Sequence, residues 1–263
     1  MKRLLSLIWI LIGILTLLLA YATFSERALA ADEVEKGRDV IFIGVDISGS
    51  FKNSPDYNDS LAFISRYLYA HLKGYSELKP PHSLFVGSIG GTKPDEPKTF
   101  YPIQNFEYKE IQGIEDELHR IFKDIKPNQF TDYNTFFKQV TVFVRNKKLS
   151  LKPITIILLT DGMPDAPKVE GKLDYRSFNL TPLENLSRNI TIRVLYTSAE
   201  VGMNWQEKVP RQRVRIWTQD ASVMRNWKSK DIMLPDQKFE KQERFFSWIK
   251  DNVDFPVRAK RVN

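Results

Sequence analysis

Asp46, Ser48 and Ser50 stand at alternate positions in the stretch Asp39 to Ser50, DVIFIGVDISGS. One carboxylate and two hydroxyls on the same side of an extended segment would offer three hard oxygen ligands. Such a set suits a small divalent cation. Mg2+ or Mn2+ is expected, with Ca2+ as a further hard candidate, because neither thiol nor imidazole is present to favour Zn2+. Gly49 between the serines would let the chain turn tightly. A second aspartate, Asp161, follows the apolar run Ile154 to Leu159 and is flanked by Thr160 and Gly162. Two apolar runs that each end in an aspartate are hard to explain by packing, since a carboxylate there is costly unless paired, solvated or bound to a cation.

The elements that must position these groups follow from the pattern of apolar residues. Val40, Ile41, Phe42, Ile43 and Val45 form a β-branched and aromatic run expected for a strand buried on both faces of a parallel sheet, and Ile154 to Leu159 is another. Ser54 and Pro55 predict the start of a helix that carries Leu61, Ile64, Leu68 and Leu72 at helical spacing up to Gly74. Ser83 to Ile89 reads as a strand after the Pro80-Pro81 break, Gly90 to Lys98 as an exposed loop, and Thr99 to Ile103 as an edge strand. Ile114, Leu118, Ile121, Phe122 and Ile125 predict an amphipathic helix ending before Pro127, and a polar loop Asn128 to Asn134 leads to a helix over 136–144.

Further strands are expected at Ile190 to Tyr196, after a helix near Leu183 to Arg188, and at Val214 to Trp217, before a short helix near Ala221 to Trp227. A last long element spans Glu240 to Val253. Strands alternating with helices predict an α/β domain with a doubly wound, mostly parallel sheet flanked by helices. In such sheets sites lie at the carboxyl ends of strands near a topological switch point.

The chain of 263 residues opens with Lys2 and Arg3, an apolar run Leu4 to Ala22, and the small residues Ala28-Leu29-Ala30 before Ala31. Residues 1–30 read as a signal peptide or a retained membrane anchor, and either reading places the remainder outside the cytoplasm, periplasmic or secreted. Residues 31–38 form a charged linker, 39–253 the domain and 254–263 a basic tail. About 230 residues suffice for one sizeable core. The absence of cysteine excludes a small disulfide-stapled module and favours a bacterial envelope protein. The net charge of +7 falls to +5 when Lys2, Arg3, Arg27 and Glu26 leave with the leader. The excess is scattered, with a small cluster at Arg258, Lys260 and Arg261 that reads as a solvated end, so no nucleic-acid partner is expected.

Asp46-Ile47-Ser48-Gly49-Ser50 after a strand, Thr131 before a helix and Thr160-Asp161-Gly162 after a second strand resemble the von Willebrand factor A domain and its metal-ion-dependent adhesion site. The resemblance implies a Rossmann-like fold over 39–253, with Ser48 and Ser50 as direct cation ligands. Asp46 and Asp161 would hold the cation directly or through water, and Thr131 would be a ligand whose contact changes between forms. It also implies a protein partner whose acidic residue completes the coordination shell, with no reaction. Gln129-Phe130 stands where the family often has a glycine pair, which leaves Thr135 as an alternative to Thr131.

Other groups carry less. His71, His82 and His119 share no ligand spacing and read as surface or helix-face residues. Ser88 in Val86-Gly87-Ser88-Ile89-Gly90 only loosely resembles a nucleophile elbow. Trp205, Trp217, Trp227 and Trp248 read as packing residues, and Met163 to Lys172 as a long connection beside the site that could touch a partner. Two further functions remain open: a scaffold whose cation only stabilises loops, and a metal-assisted phosphoryl hydrolase. For the latter, Ser48 occupies the place of the second carboxylate in D-x-D, where a hydroxyl cannot serve as general acid.

Overall fold

The first predicted strand, β1 (Val40–Asp46), is buried along its whole length. The computed structural model describes residues 37–90, 96–123, 131–165, 168–169, 171–187 and 189–257. The leader, most of the linker, Gln129-Phe130 and the cluster Arg258, Lys260 and Arg261 lie outside the described residues. Among the described residues no helix is long and apolar enough to cross a membrane.

β1 pairs in parallel with β2 (Ser83–Ile89) on one side and with β4 (Ile154–Leu159) on the other. The sheet runs β3-β2-β1-β4-β7-β8, with β3 at Tyr101–Pro102, β7 at Ile190–Thr197 and β8 at Arg215–Asp220. Within this sheet, among the described residues, only β3 is antiparallel to its neighbour. From β1 the chain winds outward through β2 and β3, then crosses back to β4 and winds the other way. The doubly wound, Rossmann-like α/β fold is therefore as expected, and its switch point lies between β1 and β4.

Alternation along β1 divides the interior into two cores. Ile41, Ile43 and Val45 face one, covered by α2 (Pro55–Lys73), α3 (Ile111–Lys123) and α8 (Glu243–Ile249); Val40 and Phe42 face the other, covered by α4 (Tyr133–Asn146) and α6 (Ala199–Lys208). α2 begins at Pro55 and ends on Gly74, whose φ of 68° is the left-handed cap that glycine adopts without strain.

The structure differs from the sequence reading in several elements. Gly49–Lys52 forms a helical turn, α1, where an extended segment was expected. α5 is a single turn, Thr181–Glu184, and stops short of the expected Leu183 to Arg188. There the Glu184 carboxylate accepts the main-chain N–H groups of Gln212, Arg213 and Val214, anchoring the turn before β8. α6 has no sequence counterpart because its buried residues are only Gly202 and Trp205, too few to make a stripe. The connection after β4 holds a small antiparallel hairpin, β5 (Lys168–Val169) and β6 (Lys172–Leu173). α7 (Ala221–Arg225) matches expectation, whereas α8 passes into a wide turn, Lys250–Asp254.

His71 is not a surface residue. It is buried on α2, with Lys79 O 2.9 Å from Nδ1 and Asp254 Oδ2 2.9 Å from Nε2. Tyr67 also donates to Asp254, at 3.0 Å, so the packed chain runs on past Val253. His82 and His119 are exposed.

Candidate metal centre

β1 and β4 are parallel neighbours, so their carboxyl ends open at the same edge of the sheet. Val45 pairs with Leu159, which sets Asp46 beside Thr160. The Thr160 hydroxyl donates to Asp46 Oδ2 at 2.5 Å, and the Ser48 N–H donates to Asp46 Oδ1 at 2.8 Å. Thr160 Oγ1 also accepts the Gly162 N–H at 2.9 Å and lies 2.7 Å from the Tyr133 hydroxyl. A hydroxyl has one proton to give. Since Thr160 gives its proton to Asp46, Tyr133 is the donor to Thr160.

Ser48 precedes α1 with extended dihedrals, φ −61° and ψ 154°, and the helical turn then carries Ser50 back towards it. Their Oγ atoms lie 3.2 Å apart. The two serines do meet, but through a strand-to-helix turn and not along an extended strand. Asp46 is fully buried, Ser48 nearly so, and Ser50 is exposed, so the cluster opens to solvent at Ser50.

Asp161 follows Thr160 directly and accepts the Met163 N–H at 3.0 Å. Gly162 has φ 77° and turns the chain sharply; its carbonyl accepts the Trp205 indole N–H at 2.8 Å. Burial pushes the Asp46 carboxyl up to about 6, the hydrogen bonds from Thr160 and Ser48 oppose this, and the nearby Asp161 charge adds to it. Thus Asp46 is a buried acid whose principal charged neighbour among the described residues has the same sign.

Thr131 is buried ahead of α4, and its carbonyl accepts the Asp165 N–H at 3.1 Å, which ties its main chain to the loop after β4. Among the described residues no hydrogen bond joins its hydroxyl to Asp46, Ser48, Ser50 or Asp161. Thr135 lies inside α4, where Asp132 caps the helix by accepting the Thr135 N–H at 2.9 Å and its hydroxyl at 2.6 Å. The structure therefore gathers Asp46, Ser48, Ser50 and Asp161, ties the Thr131 main chain to Asp165 four residues beyond Asp161, and engages the Thr135 hydroxyl in capping.

Two carboxylates and several hydroxyls at a solvent-facing edge form an all-oxygen donor set of the kind that holds Mg2+ with waters retained. Among the described residues no positive charge compensates Asp46, which fits a cation there. Among the described residues there is no cluster of three or more His, Cys, Asp or Glu side chains, so any ion here would rely on hydroxyls as well. Thr160 stood in the T-D-G motif without an assigned role. Tyr133 carried no local signal, because its partner lies 27 residues away.

No protein-family model matches the chain, and no curated protein matches it in sequence. Among solved structures, the chain is similar to proximal thread matrix protein 1 from the mussel byssus, with 12% identity and a TM-score of 0.43, over 73% of this chain and 46% of that one. It is also similar to the SpRpn10 VWA domain (11% identity, TM-score 0.37, 68% of this chain and 87% of that one). A third is the manganese-loaded TRAP protein of Plasmodium vivax (14% identity, TM-score 0.43, 70% and 68%). The chain spans less than half the length of the first of these. These distant likenesses carry no argument about the site; the fold assignment rests on the strand order described above.

Proposed function

We propose that this chain is an exported von Willebrand factor A-type binding module that holds a divalent cation through Asp46, Ser48, Ser50, Thr131 and Asp161. It would thereby capture an acidic side chain of a partner protein. The observation that carries this reading is Asp46, a carboxylate buried at the switch point with a second carboxylate acting on it and, among the described residues, no positive charge compensating it. Burying such a charge is costly without a counter-ion.

In this reading Asp46 and Asp161 supply the negative charge, and Ser48 and Ser50 supply hydroxyl lone pairs at the open side. Thr131 approaches from the loop that Asp165 braces. Bound Mg2+, Mn2+ or Ca2+ supplies an open coordination position for a carboxylate from outside. No reaction is assigned, because Ser48 stands where a hydrolase of the D-x-D type needs its acid and its hydroxyl meets Ser50. The module acts outside the cytoplasm, in the periplasm or secreted, and is held at a membrane if residues 4–22 are retained.

The test is a calorimetric titration of Mg2+ and Mn2+ into the full chain, beside Asp46→Ala and Asp161→Ala. Saturable binding in the wild type and its loss in both variants is expected; equal binding in all three proteins refutes the site. One observation favours a second reading, a scaffold with a stabilising ion: both Asp46 oxygens already accept hydrogen bonds from the protein. A scaffold predicts that the cation raises the melting temperature while acetate, a mimic of the partner carboxylate, leaves cation affinity unchanged.

A further inference from the structure

The sheet ends at β8, and among the described residues no strand lies on its outer side. Arg215, Ile216 and Trp217 are consecutive in β8, and all three line one open slot of about 520 Å3. Successive side chains of a strand point to opposite faces, so a slot that touches all three must cross the strand's outer edge. Gln206 and Arg211 wall it on the α6 side, and Phe255 and Val257 wall it on the side of the C-terminal segment. An edge strand framed in this way presents alternate main-chain N–H and C=O groups to a second extended chain.

The polar chemistry of the slot selects the chain that fits. Among the described residues, the buried side-chain polar atoms without a protein partner are Arg193 Nε and Nη1, Arg211 Nε and Trp217 Nε1. All are N–H donors, and all belong to this corner of the sheet. Arg211 and Trp217 line the slot itself. Arg193, nine-tenths buried, pairs in register with Trp217, and its guanidinium lies 5.3 Å from the Phe255 ring while Nη2 donates to the Phe255 carbonyl at 2.7 Å. Arg211 and Arg215 outweigh Glu207 along the walls. These donor atoms are themselves enclosed, so what an occupant of the slot meets is the positive wall of Arg211 and Arg215, which favours negative charge.

We propose that the β8 edge slot docks an extended acidic segment of a partner protein, which adds as a strand beside β8 with its carboxylates towards Arg211 and Arg215. None of the slot's residues belongs to the Asp46 cluster, so this surface works with or without a bound cation.

The probe is a capped hexapeptide of alternating Val and Glu, titrated into the 15N-labelled full chain. Two control peptides carry Gln in place of Glu, or N-methyl groups on alternate amides. Saturable binding is expected to move the Trp217 indole N–H signal, identified by its loss in Trp217→Phe. The Gln peptide and the Arg211→Ala variant are each expected to bind about tenfold more weakly or worse, the loss of one charge-assisted hydrogen bond. N-methylation is expected to weaken binding comparably, because it removes main-chain donors. An unmoved Trp217 signal overturns the proposal. So does equal binding by the Gln peptide, or by the N-methylated peptide, to the wild type. These controls need no variant to fold, and the rest of the spectrum reports whether Arg211→Ala is folded.

Discussion

Replacing Thr160 by valine keeps the shape of the side chain and removes one hydroxyl on which three hydrogen bonds converge. Without it, Asp46 Oδ2, the Gly162 N–H and the Tyr133 hydroxyl each lose their partner in a buried setting. A buried polar group left unsatisfied costs about 1–3 kcal/mol, and a charged acceptor sits at the upper end of that range. Allowing for relaxation and non-additivity, Thr160→Val is expected to cost about 3–5 kcal/mol. For a domain of this size that lowers the melting temperature by roughly 6–20 °C. The assay is urea denaturation of the full chain in EDTA, which removes any stabilisation by bound metal. Thr160→Ser keeps the hydroxyl and is expected to lose only about 1 kcal/mol, the value of a buried methyl group. Tyr133→Phe removes the donor to Thr160 and is also expected to cost about 1 kcal/mol. A Thr160→Val protein within about 1 kcal/mol of the wild type would refute the assignment of Thr160 as the hub that holds Asp46.

Two further perturbations test other parts of the framework. Gly162→Ala places a Cβ 2.9 Å from Thr197 Cγ2 and Val201 Cγ1 at a φ of 77°, whereas Gly171→Ala, also at φ 77°, meets nothing within 4 Å. The first is expected to cost about 2–4 kcal/mol and the second about 1 kcal/mol; equal melting temperatures for the two variants would show that the packing around Gly162 yields freely. His71 has acceptors at both ring nitrogens, an arrangement satisfied by the imidazolium. Burial alone would push its pKa down, but the hydrogen bond and charge of Asp254, the Lys79 carbonyl and the Asp39 charge outweigh this and raise it. Arg193 and Tyr67 also face Asp254. A raised histidine pKa adds stability that is fully present below the unfolded value of about 6.5 and is lost as pH rises through the folded value. Urea midpoints are therefore expected to fall as pH rises above about 6.5, less steeply in Asp254→Asn. A wild-type midpoint that rises over that window would contradict the sign.

Much of this protein is written locally in its sequence. The runs in β1 and β4 are apolar on both faces because those strands are central, and that burial alone makes them readable. Pro55 and Gly74 mark the ends of α2 through their own backbone preferences. The alternation of strands and helices determined the fold class, and the D-x-S-x-S and T-D-G patterns marked the aspartates that meet at the switch point. What remained hidden depends on partners far away in the chain. Asp46 and Thr160 are 114 residues apart, and His71 and Asp254 are 183 apart. No periodicity records such a pairing. Only the order β3-β2-β1-β4-β7-β8 decides that Thr160 binds Asp46, that Tyr133 donates behind it, and that β8 ends the sheet of the described residues beside Arg193 and Arg211. Local propensity acts over a few residues of covalent geometry, whereas these contacts are set by how completed elements pack, and so only the tertiary structure decides them.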